Sequence, residues 1–301
     1  VRRKRIVRGV TLALSMGLLA VVLTGCSTSD AEKDLRFGWP TGVTKQAERM
    51  RVLWTWSSVA ALAVGVIVWG LIFWACIRYR KKDDRLPRQT RENLIIEGIY
   101  TILPFFVIAG LFYYTVVVEN YVDKRTKNPD VTVTVTAFKW NWQFGYNGHK
   151  YDTPPTGDED VSTVGTSTEI PILVIPVNET VRFVEKSEDV IHSFWVPEFL
   201  FKRDVIPMPA GKDNQFEITA TKTGHYVGRC AELCGTYHSQ MNFEVRVVTA
   251  DQYTKYVDAL AKYGPADPDR QAKAQQDIGE DPVATTTHPF NTDRSARSAT
   301  K

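Results

Sequence analysis

Five side chains near the C-terminal end carry the strongest chemical signal in the chain. Four of them fall within Cys230-Ala-Glu232-Leu-Cys234-Gly-Thr-Tyr-His238-Ser-Gln-Met241, and His192 stands alone upstream. Two thiolates, two imidazoles and a thioether are soft or borderline ligands, a set that selects copper over hard cations. A mononuclear blue-copper site takes one Cys, two His and a distant Met. Here a second Cys follows the first by four residues, and the surplus thiolate points to two coppers. Two bridging sulfurs would spread one electron over both metals, and a site closed by five side chains leaves no open position for substrate. The chemistry indicated is therefore electron transfer. A disulfide between Cys230 and Cys234 in an exported domain and a structural Cys2His2 zinc are the alternatives. Neither uses Met241.

The run Ser187-Glu-Asp-Val-Ile-His192-Ser-Phe-Trp-Val-Pro197, then Lys202-Arg-Asp204-Val-Ile-Pro207, then Gly228-Arg-Cys230 through Met241, resembles subunit II of cytochrome c oxidase. The similarity extends from about Arg51 to Val248, broken by one divergent loop. It implies that Cys230 and Cys234 bridge two coppers, that His192 and His238 each bind one, and that Met241 and the backbone carbonyl of Glu232 are weak ligands. It also implies that the Glu232 side chain reaches a Mg2+ at the boundary with subunit I, an ion that prefers oxygen ligands. Electrons from a c-type cytochrome would enter the copper pair and pass to haem in subunit I of a proton-translocating complex, where oxygen is reduced to water in aerobic respiration. The implied partners are subunits I and III. The chain has no second cluster of ligands for the haems, which the resemblance places in the partner subunit.

The elements that must position this chemistry are legible in order along the chain. Of 301 residues 44% are hydrophobic and 24% charged, with a net charge of +3, which suits one globular domain plus apolar segments. The basic residues concentrate in the first eight positions and in one loop, which reads as topology signalling rather than a nucleic-acid patch. Arg2, Arg3, Lys4, Arg5 and Arg8 precede an apolar stretch from Val10 to Leu23, as in a secretory signal over residues 1–25. The ending Leu23-Thr24-Gly25-Cys26 resembles a bacterial lipobox, which implies lipidation of Cys26 and a mature N-terminus outside the cytoplasm. Residues 26–51 read as an extracytoplasmic linker.

Val52 to Ile77 supplies 26 residues without a charge, enough to cross a bilayer, with Trp54, Trp56, Trp69 and Trp74 towards its two ends. The loop from Arg78 to Arg91 holds seven basic residues against Asp83 and Asp84, so the positive-inside rule places it in the cytoplasm. Leu94 to Val118 forms a second span, and residues 52–121 make a transmembrane hairpin that leaves both flanks on the extracytoplasmic side of a bacterial plasma membrane. Pro104 is expected to kink the second helix. Glu97 sits three residues inside it, either at the cytoplasmic interface or in a proton path. The stretch Glu97-Gly-Ile-Tyr-Thr-Ile-Leu-Pro104 resembles the family's second helix, whose glutamate marks the mouth of a proton pathway into subunit I.

Beyond Tyr121 the period changes. Val131-Thr-Val-Thr-Val-Thr136 alternates as a half-buried strand does. Short apolar runs at Ile172 to Ile175, Val181 to Val184, Phe216 to Thr219 and Phe243 to Val248 continue the pattern, so residues 122–250 read as an all-β sandwich or barrel resembling a cupredoxin. Trp140-Asn141-Trp142 resembles the family's aromatic stretch beside the copper site, with Asn141 where an aromatic is usual. On that resemblance Trp140 is where electrons arrive, with Trp142 as competitor if the strand continues and both rings point one way.

The segment from Asn147 to Glu169 departs from the family. Its acidic Asp158-Glu159-Asp160 and its length leave a soluble and a membrane-tethered cytochrome as equal candidates for the donor. Residues 251–301 are expected to start with a short helix to Lys262 and to be disordered from Gly264. Three rival readings are a copper-delivery lipoprotein with an open site, a copper-free quinol-oxidase subunit, and a nitrous oxide reductase domain. The closed ligand set opposes the first, retention of all five ligands the second, and the two-helix anchor the third.

Overall fold

The structure is a computed structural model and describes residues 36–81, 83–84, 86, 89–146, 161–209 and 214–289. The signal stretch, Cys26 and Asp158 to Asp160 lie outside the described residues.

Two long helices come first, α1 (Lys45–Arg78) and α2 (Leu94–Val122). The first begins at Lys45 rather than Val52, because Thr44 caps it: the Thr44 hydroxyl accepts from the Ala47 amide at 2.9 Å, which satisfies one orphan donor of the first turn. That turn is docked on the sheet domain. Ala47 is buried, Val43 exchanges backbone hydrogen bonds with Glu198 and Thr221, and the Gln46 side chain accepts from the Thr219 amide. The last part of the expected linker is thus helix cap and first turns. At its start α2 is capped reciprocally: Asn93 accepts from the Ile96 amide at 3.2 Å while Glu97 accepts from the Asn93 amide at 2.9 Å. The helix runs unbroken through Pro104. At its other end Val122 is buried and Asp123 pairs with Arg203 at 2.7 Å.

The start of α1 and the end of α2 therefore touch the sheet domain, and the basic loop joins their far ends. The 26 uncharged residues of α1 rise about 39 Å at 1.5 Å each, more than the roughly 30 Å of a bilayer core. Both helices are long and apolar enough to cross a membrane. They leave Trp69, Leu71, Ile95 and Phe106 exposed, a surface that water disfavours and lipid accepts.

The sheet domain is a sandwich of two five-stranded sheets. One sheet contains β1 (Val131–Phe138), β2 (Asn141–Gly145), β3 (Ser162–Val164), β5 (Thr180–Ser187) and β8 (Asn214–Thr219), in the order β3-β2-β1-β5-β8. The other contains β4 (Ile172–Pro176), β6 (His192–Val196), β7 (Phe201–Val205), β9 (Gly224–Cys230) and β10 (Asn242–Val248), in the order β4-β10-β9-β6-β7. Pairs β1/β5 and β10/β4 are parallel and the other pairs antiparallel. Along β1 the valines point inward and the threonines outward, as period-2 alternation requires. Across the gap Phe183 meets Phe194 with ring centroids 5.5 Å apart, and Phe144 meets Phe243 at 5.4 Å. These aromatic contacts join the inner faces.

The expected disorder from Gly264 is corrected by the structure. After α3 (Ala250–Tyr263) comes α4 (Arg270–Asp277), and the chain is laid on the sandwich as far as Pro289. Composition is a poor guide because, besides the buried Ala274 and Ile278, polar groups hold this segment. Gln271 accepts from the Ile172 amide at 2.9 Å and donates to the Ile170 carbonyl at 3.1 Å, covering the free edge of β4. The fully buried Arg246 pairs with Glu244 at 2.8 Å. Its guanidinium also donates to Gln275 and to the carbonyls of Asp281 and Val283, while Glu244 accepts from the amides of Thr285 and Thr286 at 2.7 Å.

Candidate metal centre

The site forms where β6 begins and β9 ends. Register pairs Phe194 with Cys230, so His192 at the head of β6 lies beside the loop leaving β9. That loop is closed at its base, since the Cys230 amide donates to the Met241 carbonyl at 3.0 Å and the Ala231 amide to the Ser193 carbonyl at 3.1 Å. Within it a single 3-10 turn, His238–Gln240, brings His238 and Met241 back towards the cysteines.

The ligand atoms converge. Sγ of Cys230 and Sγ of Cys234 are 3.8 Å apart, and Nδ1 of His192 is 3.8 Å from the former. Nδ1 of His238 is 3.6 Å and Sδ of Met241 3.8 Å from Cys234 Sγ, while the Glu232 carbonyl oxygen is 3.3 Å from Cys230 Sγ. A disulfide needs sulfurs about 2.05 Å apart; both cysteines are free and buried. Donors sharing one tetrahedral ion at about 2.3 Å would be roughly 3.7 Å apart, the spacing seen here. The donor set is soft, so the residues present fit copper.

Electrostatics separates the two thiols. Burial pushes Cys230 up, but hydrogen bonding to His192 and to the Glu232 and Ser193 backbone outweighs this and its pKa is lowered. At Cys234 burial and the neighbouring Cys230 both act upward. A bound cation would be needed to hold both as thiolates.

Around the ligands, Asp189 has a role that residue types alone did not single out, although it lies three positions before His192. One carboxylate oxygen takes the Nε2 side of His192 at 2.8 Å and the other accepts from the Lys139 amide at 2.8 Å. Burial acts to raise Asp189, but these bonds and that from the Val190 amide prevail and its carboxyl lies below its ordinary range. It orients the imidazole and ties the metal loop to the aromatic stretch.

The two tryptophans part company. Trp140 precedes β2, is only partly buried, and packs edge-on against Tyr237 at 4.9 Å. Trp142, inside β2, is fully buried, donates to the Met241 carbonyl at 3.2 Å and lies 6.2 Å from the His192 ring. Gly235, with φ +121, packs under Trp140, whose indole would lie 3.2 Å from any Cβ there; a side chain at this position is disfavoured by both conformation and space.

The structure brings together His192, Cys230, the Glu232 carbonyl, Cys234, His238 and Met241. The Glu232 side chain points instead to Lys202, 3.7 Å away, which also pairs with Asp204 at 2.7 Å. Glu97 is remote, at the opposite end of α2 from the sandwich.

Comparison with known proteins adds a second line of support. Residues 131–248 match the family model described as cytochrome c oxidase subunit II, periplasmic domain. A probable cytochrome c oxidase subunit 2 from Nocardia farcinica is 48% identical over 99% of this chain and 92% of its own. The cytochrome c oxidase subunit 2 of Mycobacterium tuberculosis is 44% identical over 95% of this chain and 90% of its own. Among solved structures, the periplasmic domain of subunit II of cytochrome oxidase (CoxB) of Bradyrhizobium japonicum is 31% identical, with a TM-score of 0.36, covering 46% of this chain and 98% of that domain.

Proposed function

Because the chain belongs to the cytochrome c oxidase subunit II family, we propose that it takes electrons from a c-type cytochrome at a dinuclear copper centre built on the cluster just described. The observation that carries this reading is the convergence on two free, adjacent thiols of two imidazole nitrogens, a thioether and one carbonyl oxygen, each within 3.8 Å of one cysteine sulfur or the other. Cys230 and Cys234 would bridge the metals, His192 and His238 would each bind one, and Met241 and the Glu232 carbonyl would be weak ligands. When bound, the copper pair supplies a one-electron carrier between the cytochrome and the haem of subunit I, where oxygen is reduced to water.

The protein's own residues hold that carrier rigid and connected. Asp189 fixes the His192 ring, the core aromatics Trp142 and Phe243 exclude water beneath it, and Trp140 presents a partly exposed ring on the outer side. The Glu232 carboxylate, left free by its carbonyl, would reach Mg2+ at the boundary with subunit I. Glu97, which accepts from the Asn93 amide at the start of α2, would receive protons at the cytoplasmic surface, where the basic loop lies. Cys26 would carry lipid outside the cytoplasm. Subunits I and III are the expected partners, and the donor cytochrome is soluble or membrane-tethered.

Electron paramagnetic resonance of the copper-loaded protein tests the core of this reading. Hyperfine splitting from two equivalent coppers is expected, and lost in Cys230→Ser. A spectrum of one isolated copper, or a delocalised signal that survives in the Ser variant, would overturn it.

A further inference from the structure

The first turn of α2 holds its acidic side chain by three linked hydrogen bonds. Asn93, the N-cap, has an extended backbone (φ -144°, ψ 91°). Its side-chain oxygen accepts from the Ile96 amide at 3.2 Å, and its own amide donates to Glu97 Oε1 at 2.9 Å. The Glu97 amide in turn donates to the Asn93 carbonyl at 2.9 Å. In the usual capping box the acid that returns to the cap is the third helical residue. Glu97 is the fourth.

That extra residue decides where the carboxylate sits. Side chains on a helix lean towards its N-terminus, and a bond from the fourth residue back to the cap spans about 6 Å of helix axis at 1.5 Å per residue. The acid group is thus carried away from its own Cα towards the basic loop. Glu97 is half-buried and Asn93 exposed, so the cap can be changed without emptying a packed space.

A carboxylate left free at this end of the helix would have many competing partners. The stretch from Arg78 to Arg91 carries seven basic residues against Asp83 and Asp84, and Arg91 stands two places before Asn93. An ion pair with any of them would swing the acid out of line. The bond to the cap instead keeps the carboxylate at the positive end of the helix dipole, and it occupies one oxygen, so a proton can be received and passed on at the other. The donor in that bond is main chain. What fixes its direction is the Asn93 side chain, through its bond to Ile96.

We propose that Asn93 is a positioning residue for proton uptake by Glu97: by capping α2 it aims its own amide at Oε1 and holds the carboxylate turned to the cytoplasmic solution, with Oε2 exchanging the proton. The proposal rests on the reading of Glu97 as the point of proton entry. It adds to that reading a second residue that never touches the proton.

The test uses the intact copper-loaded oxidase, with turnover counted per copper so that a loss of assembled complex does not register as slow chemistry. Asn93→Ala is expected to lower kcat about fivefold, the weight of a typical N-cap, and to raise the ratio of rates in H2O and D2O. The KM for cytochrome and the rate of copper reduction should stay as in the wild type. Asn93→Ser, which restores a capping oxygen, should recover most of the lost rate. The double variant Asn93→Ala with Glu97→Ala should be no slower than Glu97→Ala alone, because Asn93 acts only through the carboxylate. An unchanged kcat in Asn93→Ala, a loss that Asn93→Ser does not repair, or an additive loss in the double variant would overturn the proposal. Glu97→Ala separates this from the underlying reading. Wild-type turnover in that variant means that protons enter elsewhere, whereas slow turnover there with normal turnover in Asn93→Ala removes the cap alone.

Discussion

The indole N–H of Trp140 donates to the carbonyl oxygen of Cys234 at 3.2 Å. A ring that reaches the surface is thus one hydrogen bond from the backbone of a candidate metal ligand. Trp142, two residues on, makes the equivalent bond to the Met241 carbonyl from inside the core. One tryptophan reaches the surface and the other supports the site from beneath.

Trp140→Gln is expected to slow copper reduction by cytochrome severely at nearly constant affinity, as followed by stopped-flow absorbance. Trp142→Ala should act on stability instead. Emptying a fully buried indole site destabilises by about 3–5 kcal/mol, visible as a lowered midpoint in urea. Comparable stability losses in the two variants would contradict the division of roles.

Asp189→Ala removes the bonds to His192 and to the Lys139 amide together. Loss of such an orienting carboxylate typically weakens metal binding about 10–100-fold. Competition with a copper chelator should register that loss. Asp189→Asn, which can still accept from the Lys139 amide, should fall between the wild type and the Ala variant.

Two glutamates are expected to affect different steps. Glu97→Ala should slow turnover while leaving copper reduction fast, because the residue lies at the opposite end of α2 from the metal site. Glu232→Gln should lose Mg2+ or Mn2+ while keeping copper, because its carbonyl is unchanged. Elemental analysis and single-turnover kinetics distinguish the two outcomes.

Glu185, on β5, sets a pH dependence. Burial pushes its carboxyl from an ordinary 4.5 to about 9, with Arg203 opposing and Asp204 reinforcing. The folded chain therefore binds this proton more tightly than the unfolded one. The resulting stabilisation is complete below about pH 4.5 and is lost as pH rises towards 9. Glu185→Gln, which mimics the protonated acid, should match the wild type in Tm near pH 4.5 and exceed it increasingly up to pH 9. A constant difference across that range would refute this assignment.

Arg246→Met leaves Glu244 as a buried carboxylate without its cation. The expected loss is about 3–5 kcal/mol, whereas the double change Glu244→Gln with Arg246→Met should be much milder. Deleting everything after Gly264 should also be strongly destabilising, since it removes Gln275 and the carbonyls and amides that surround the pair. Equilibrium unfolding in urea measures all three.

Much of this protein is local and therefore legible in its sequence. Cys230, Cys234, His238 and Met241 lie on one short loop, so their types and spacing named a soft-metal site without a fold. Hydropathy located both membrane helices, because a bilayer selects on length and apolarity alone. The valine–threonine alternation from Val131 disclosed β1, because one face of a strand is buried. The ordinary cues were weaker in β6 and β9: His192 to Val196 is nearly all buried, and β9 carries Gly224 and Gly228.

Tertiary structure decided whatever depends on partners far apart in the chain. His192 joins Cys230 across 38 positions only because β6 and β9 are neighbours. Period-2 reasoning placed Trp140 and Trp142 on one side, but β2 starts at Asn141 and leaves Trp140 outside the strand. The C-terminal extension looked too polar to pack because composition counts apolar area. Besides burying Ala274 and Ile278, it is held by Gln271 on the β4 edge and by the Glu244–Arg246 pair, hydrogen bonds whose strength depends on burial that no local window of sequence contains.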